Sequence, residues 1–158
     1  MTKRSIHLWI TAFVFICLIY GCGTNQGAPV AINENVDKCT TCNMQVVDSP
    51  LATEVLLKNG QVLKFDDIGC MYEWQMANPT AQMNVAYVRD FHTKEWIKRE
   101  EAFYAHIPTI QTPMAYNVLA FKTKDAAQKM MEQEHCLGSV MTSADLDKHT
   151  WEKTGTHS

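Results

Sequence analysis

The sequence predicts an α+β domain assembled from two ββαβ-type units, and three observations carry that reading. Glu54-Val55-Leu56-Leu57-Lys58 and Gln61-Val62-Leu63-Lys64-Phe65 flank Asn59-Gly60. Both turn residues tolerate φ > 0, which makes this the strongest hairpin signal in the chain. The second of these strands runs straight into Asp66-Asp67, helix-capping residues ahead of an apolar-periodic segment. The same order returns later, where Val118-Leu119-Ala120-Phe121 runs into Thr123 and a second helical segment.

The elements follow in order. Asp66 or Asp67 caps a helix that reaches Ala77 and stops at Asn78-Pro79. Ile68, Met71, Tyr72 and Met76 are its apolar stripe. Val85 to Phe91 is a third strand by β-propensity. Ala102 to His106 and Tyr116 to Phe121 form the second pair of strands. Thr123 caps a helix whose Ala126, Ala127, Met130 and Met131 face inward. Gly138-Ser139-Val140-Met141 reads as a closing strand, and Thr142 with Asp145 matches a capping box for a short terminal helix.

Hydrophobic residues make up 46% of the 158 residues, enough for one compact core. The formal charge is −3, and residues 1–21 hold two basic residues and none of the acidic ones, so the charge without them is −5. An acidic chain with no basic stripe excludes nucleic-acid binding on electrostatic grounds.

Residues 1–21 read as an export signal. Lys3 and Arg4 precede Leu8 to Tyr20, an apolar run too short for an ordinary membrane span. The run ends Ile19-Tyr20-Gly21-Cys22, the pattern of a bacterial lipobox, so Cys22 is the expected lipidation site. Each buried methylene contributes about 0.8 kcal/mol, so two or more acyl chains hold a protein to a membrane unaided. The expected location is the outer face of the plasma membrane or the periplasm. Residues 22–37, with Gly, Asn, Gln and Pro and no Lys or Arg, read as a flexible tether. Residues 38–150 are the folded domain, and 151–158 a disordered tail.

Cys17 leaves with the signal, so Cys39, Cys42, Cys70 and Cys136 remain beyond the lipid site. Cys39-Thr40-Thr41-Cys42-Asn43-Met44 places two thiols and a thioether together, a soft set that suits Cu(I). Zinc rarely takes Met, and iron–sulfur clusters want four spaced cysteines. Three other readings compete. A thioredoxin-like redox pair would open a helix, whereas Gln45-Val46-Val47 leads to the turn at Ser49-Pro50. A structural disulfide or a four-cysteine zinc site would recruit Cys70 and Cys136. Met44 as plain core packing is the third. Met71 belongs to the apolar stripe of its helix, while Cys70 can face either way. His92 and His106 are nitrogen donors without a motif.

Taken together, these residues resemble the NosL family of copper-chaperone lipoproteins. That family carries a lipobox, then Cys-x-x-Cys-Gly-Met near the mature start, then a strand entering an Asp-rich turn and helix, and later Pro-Met-Gly before an apolar strand. The matching residues here are Cys22, Cys39 to Met44, Phe65-Asp66-Asp67-Ile68-Gly69-Cys70-Met71, and Thr112-Pro113-Met114-Ala115 before Leu119-Ala120-Phe121. The match covers most of residues 22 to 146. Asn43 and Ala115 stand where the family has Gly, and Asn is the better substitute at φ > 0.

The resemblance implies a fold similar to part of the organomercurial lyases. It also implies a membrane-anchored Cu(I) carrier, not an enzyme, that supplies nitrous oxide reductase apoprotein outside the cytoplasm. The expected ligands are Cys39, Cys42 and Met44, with Met114 as a distant fourth donor; packing under Tyr116 and Val118 is the competing account of Met114. The rival function is enzymatic, with Cys39 and Cys42 serving a thiol–disulfide oxidoreductase or an organomercurial-lyase-like enzyme. A lyase needs two thiolates and a carboxylate in a closed pocket. The Cys pair is expected on an exposed loop, which fits a carrier better.

Overall fold

The computed structural model describes residues 27–153. The export signal, Cys22, the first part of the tether and the tail beyond residue 153 lie outside the described residues. Among the described residues, no helix is long and apolar enough to cross a membrane.

The first unit is a hairpin, β1 (Thr53–Leu57) and β2 (Val62–Phe65), then α1 (Ile68–Ala77), then β3 (Met83–Arg89). A short β4 (Trp96–Lys98), not expected from the sequence, adds an edge. The sheet is antiparallel, in the order β2-β1-β3-β4. The hairpin loop is wider than a two-residue Asn-Gly turn: Leu57 donates to the Gln61 carbonyl at 2.9 Å, enclosing Lys58, Asn59 and Gly60. Gly60 takes the left-handed position at φ 87°, as three-residue hairpin loops require.

The second unit is smaller. β5 (Phe103–His106) pairs with β6 (Val118–Phe121), followed by α2 (Lys124–Gln133) and α3 (Ser143–Leu146). Tyr116 precedes β6, between Ala115 and Asn117, which both have positive φ. The expected closing strand at 138–141 shrinks to one bridge, in which Met141 and Tyr104 exchange backbone bonds at 2.8 and 2.9 Å. Gly138, at φ 132°, turns the chain too sharply for a longer ladder. The capping box forms as expected, with Asp145 accepting from the Thr142 N–H.

Period-2 alternation fixes the faces of the four-stranded sheet. Val55, Leu63, Phe65, Ala86, Val88 and Ile97 point to the main core, shared with Ile68, Cys70, Met71 and Tyr72 of α1. Met76, expected on the apolar stripe of α1, is 60% exposed, since the buried residues of the helix are confined to Ile68–Tyr72. Asp90 welds the units together: its carboxylate accepts from Lys122 N–H at 2.7 Å and from Thr93 N–H at 2.8 Å, while Phe91 N–H reaches the Ala120 carbonyl at 2.8 Å.

Candidate metal centre

Residues 38–45 form a tight turn closed by the Lys38–Gln45 bridge. Cys39 N–H donates to the Met44 carbonyl at 2.7 Å, and Asn43 N–H to the Cys39 carbonyl at 2.9 Å. Asn43 turns the chain at φ 62°, where Asn is tolerated far better than a bulky residue. The turn is laid across the junction of β2 and α1. Thr40 N–H donates to the Lys64 carbonyl at 2.9 Å, and the Thr41 hydroxyl to the Cys70 carbonyl at 2.7 Å.

That junction is built by Asp67, which caps α1 by accepting from Gly69 N–H at 2.9 Å. Capping fixes the first helical turn, and the first turn carries Cys70. Asp66, four residues before Cys70, lies on the same side. The result is a cluster: one donor atom each from Cys39, Cys42, Asp66 and Cys70, all within 4.8 Å of one another. All three cysteines are free thiols. A metal–sulfur bond of about 2.3 Å separates sulfurs on one ion by roughly 4 Å, so a single soft ion fits with little rearrangement.

The electrostatics are asymmetric. The Cys70 thiol hydrogen-bonds Cys39 and holds its pKa down to about 7, against the opposing effect of burial. The same bond, with burial, pushes the Cys70 thiol up. Burial pushes Cys42 up to about 12. Cys42 Sγ donates to the Asp66 carboxylate at 3.3 and 3.5 Å. One sulfur is thereby held low enough to ionise near neutrality and two are held protonated, and a metal must displace those protons to bind.

Of the expected donors, Cys39 and Cys42 meet in this cluster. Met44 stands beside them on the turn, 45% exposed. Met114 is partly buried against the main core, and its N–H donates to the second Asp67 oxygen at 3.1 Å. Cys70 and Asp66 were not expected as donors; no local sequence signal joins them, because Asp66 precedes the extended N-cap Asp67 and Cys70 follows it inside the helix. Cys136 packs against the second, smaller core cluster, so the four-cysteine zinc set is not assembled. The Cys loop is exposed as expected at Thr40, Thr41, Asn43 and Met44, with Cys42 half-buried; Cys39 alone departs, 2% exposed, because its side chain lies against the β2–α1 junction.

Comparison with known proteins decides the family. The NosL family model matches residues 29–151. The chain belongs to the NosL family. Among solved structures, it is similar to the copper chaperone NosL from Shewanella denitrificans, with a TM-score of 0.63 at 19% identity. That match covers 73% of this chain and 92% of the other. Comparison with curated proteins returns no match. In this NosL-family chain both residues that replace the usual Gly keep a left-handed backbone, Asn43 at φ 62° and Ala115 at φ 59°. Ala115 therefore leaves the conformation beside Met114 in place, at a steric cost of about 1 kcal/mol.

Proposed function

We propose that this chain is an extracytoplasmic Cu(I) metallochaperone, anchored by lipid on Cys22, that passes copper to nitrous oxide reductase apoprotein. The observation that carries this reading is the convergence of Cys39, Cys42, Cys70 and Asp66 at one point, with Cys42 on its more open side, in a NosL-family fold. Thiolates are soft and prefer Cu(I) among available first-row ions. Cys39, Cys42, Met44 and Met114 are the proposed ligand set, with Cys70 in reserve beneath Cys39. Met44, on the exposed rim, is placed to meet the incoming or departing ion. A partner's ligand enters there first, and the buried thiolates release afterwards, so copper is never free. The test is transfer: copper-loaded protein incubated with the apoenzyme develops copper centres, and a Cys39→Ser/Cys42→Ser variant gives none. Equal reconstitution by that variant overturns the reading.

A second reading is favoured by one observation, the Asp66 carboxylate 3.3 Å from the Cys42 sulfur. Thiolates that hold mercury beside a carboxyl group are the parts needed to protonate a carbon–mercury bond, leaving hydrocarbon free and Hg(II) on sulfur. Incubation with phenylmercury separates the two: release of benzene supports the enzyme, and a stable adduct leaves the carrier.

A further inference from the structure

Glu54 is fully buried in the middle of β1, and the metal site makes no use of it. It sits on the sheet face opposite the core. Both its oxygens accept the Val30 N–H, at 3.0 and 3.2 Å. Its cross-strand neighbours are Lys64 on β2 and Tyr87 on β3. All three side chains grip one segment: the Tyr87 hydroxyl donates to the Gly27 carbonyl, Glu54 holds Val30, and Lys64 Nζ donates to the Ala31 carbonyl at 2.8 Å. Residues 27–31 therefore run across the sheet from β3 over β1 to β2, along a single register row. This segment covers the outer face, which explains why β1 is buried on both sides.

The row ends at the metal turn. Lys64 Nζ also pairs with Asp37 at 2.6 Å, one residue before the turn begins. The Lys64 carbonyl accepts from Thr40 N–H at 2.9 Å and from its hydroxyl at 3.2 Å. One residue thus holds the strap with its side chain and the Cys39–Cys42 turn with its backbone.

We propose that residues 27–37 are a strap coupling the N-terminal attachment to the metal turn, with Glu54 as the positioning residue that locks it. The coupling deepens the carrier reading above and rests on it for its effect on copper. Displacement of the strap itself reaches Cys39 through Val30, Glu54, Lys64 and Thr40. The expected occupant of the locked state is the free carrier; loosening the strap loosens the turn and speeds release of copper.

The experiment is amide hydrogen exchange on the full mature chain, with copper transfer to a Cu(I) chelator measured in parallel. Glu54→Ala removes the acceptor, so exchange at Val30 rises about tenfold or more, as expected for losing a hydrogen bond to a charged group. Thr40 exchange and copper transfer rise with it, while Val55 in the core keeps wild-type protection. Glu54→Gln keeps a carbonyl for the Val30 N–H and restores most of the protection, which a general loss of packing does not allow. Val30→Pro removes the donor itself; with no amide left at position 30 it is read at Thr40 and by copper transfer, both of which rise, and it serves if Glu54→Ala does not fold. Unchanged Val30 exchange in Glu54→Ala removes the lock; unchanged Thr40 exchange, in Glu54→Ala with raised Val30 exchange or in Val30→Pro, removes the coupling. Because exchange is read without metal, failure of the copper reading leaves these two outcomes intact and shows only as absence of bound copper.

Discussion

The Asp67 carboxylate holds the helix N-terminus with one oxygen and the Met114 N–H, at 3.1 Å, with the other. A single side chain thereby sets the start of the Cys70 helix and ties the Met114 loop of the second unit to it. Burial pushes the Asp67 carboxyl up, against the hydrogen bonds from Thr112, Gly69 and Met114 that favour its charge. Asp67→Asn keeps an oxygen for Gly69 but turns a donor toward the Met114 N–H. It is expected to destabilise the fold by about 1–3 kcal/mol, read by denaturant unfolding. A loss no larger than that of a surface substitution removes Asp67 as the link.

Met114→Leu tests the proposed distant ligand. Leu and Met are close in volume, so the fold is kept whether or not sulfur is needed. The expected outcome is weaker Cu(I) binding and one fewer sulfur neighbour in X-ray absorption. Unchanged affinity in a folded variant assigns Met114 to packing.

Gly69 lies directly under a ring. A Cβ there would come within 2.0 Å of Tyr116 Cδ2, and Tyr116 is 1% exposed and unable to swing out. Gly69→Ala is expected to cost about 3 kcal/mol through overpacking, despite the gain in helix propensity. Thermal unfolding at wild-type temperature contradicts the close packing of α1 against that ring.

Much of this fold was legible. The Asn59-Gly60 hairpin, the Asp67 and Thr123 caps and the Thr142–Asp145 capping box follow from local chemistry, and local chemistry is what a sequence displays. Neither the strap nor the burial of Cys39 was, because both depend on partners more than 20 residues away: Glu54 for Val30, Lys64 for Thr40. The site was half legible. Cys39-x-x-Cys42 announces itself, whereas Cys70 and Asp66 join that pair only when the turn folds onto α1. The strand at 138–141 failed because its residues favoured extension but Gly138 did not permit a ladder.

Copper affinity has a predicted pH dependence. Above the Cys39 value of about 7, that sulfur is already a thiolate, while Cys42, at about 12, and Cys70 still carry protons. Each thiol that ligates must release its proton, so affinity rises with pH. Above neutrality the logarithm of affinity rises by about one per pH unit if Cys42 alone of these two ligates, and by about two if Cys70 joins. Below neutrality Cys39 adds one more. Chelator competition across this range gives the slope, and a flat profile contradicts thiolate binding.

The Cys pair is not expected to catalyse disulfide exchange. The reactive sulfur should be the low-pKa one, but Cys39 is 2% exposed and out of reach of a protein disulfide. The more open Cys42 is the thiol with the raised value. Insulin reduction should show no turnover above background; turnover like that of a dedicated oxidoreductase overturns this.

The central claim is a Cu(I) site built on Cys39 and Cys42. Its most direct test is anaerobic titration of the reduced mature domain against a chromophoric Cu(I) chelator, with Zn(II) in excess. The account predicts that the protein takes one Cu(I) per chain from the chelator, with sulfur as its main neighbours in X-ray absorption, and that Cys39→Ser/Cys42→Ser abolishes the uptake. Copper left on the chelator while zinc holds the thiols would contradict it.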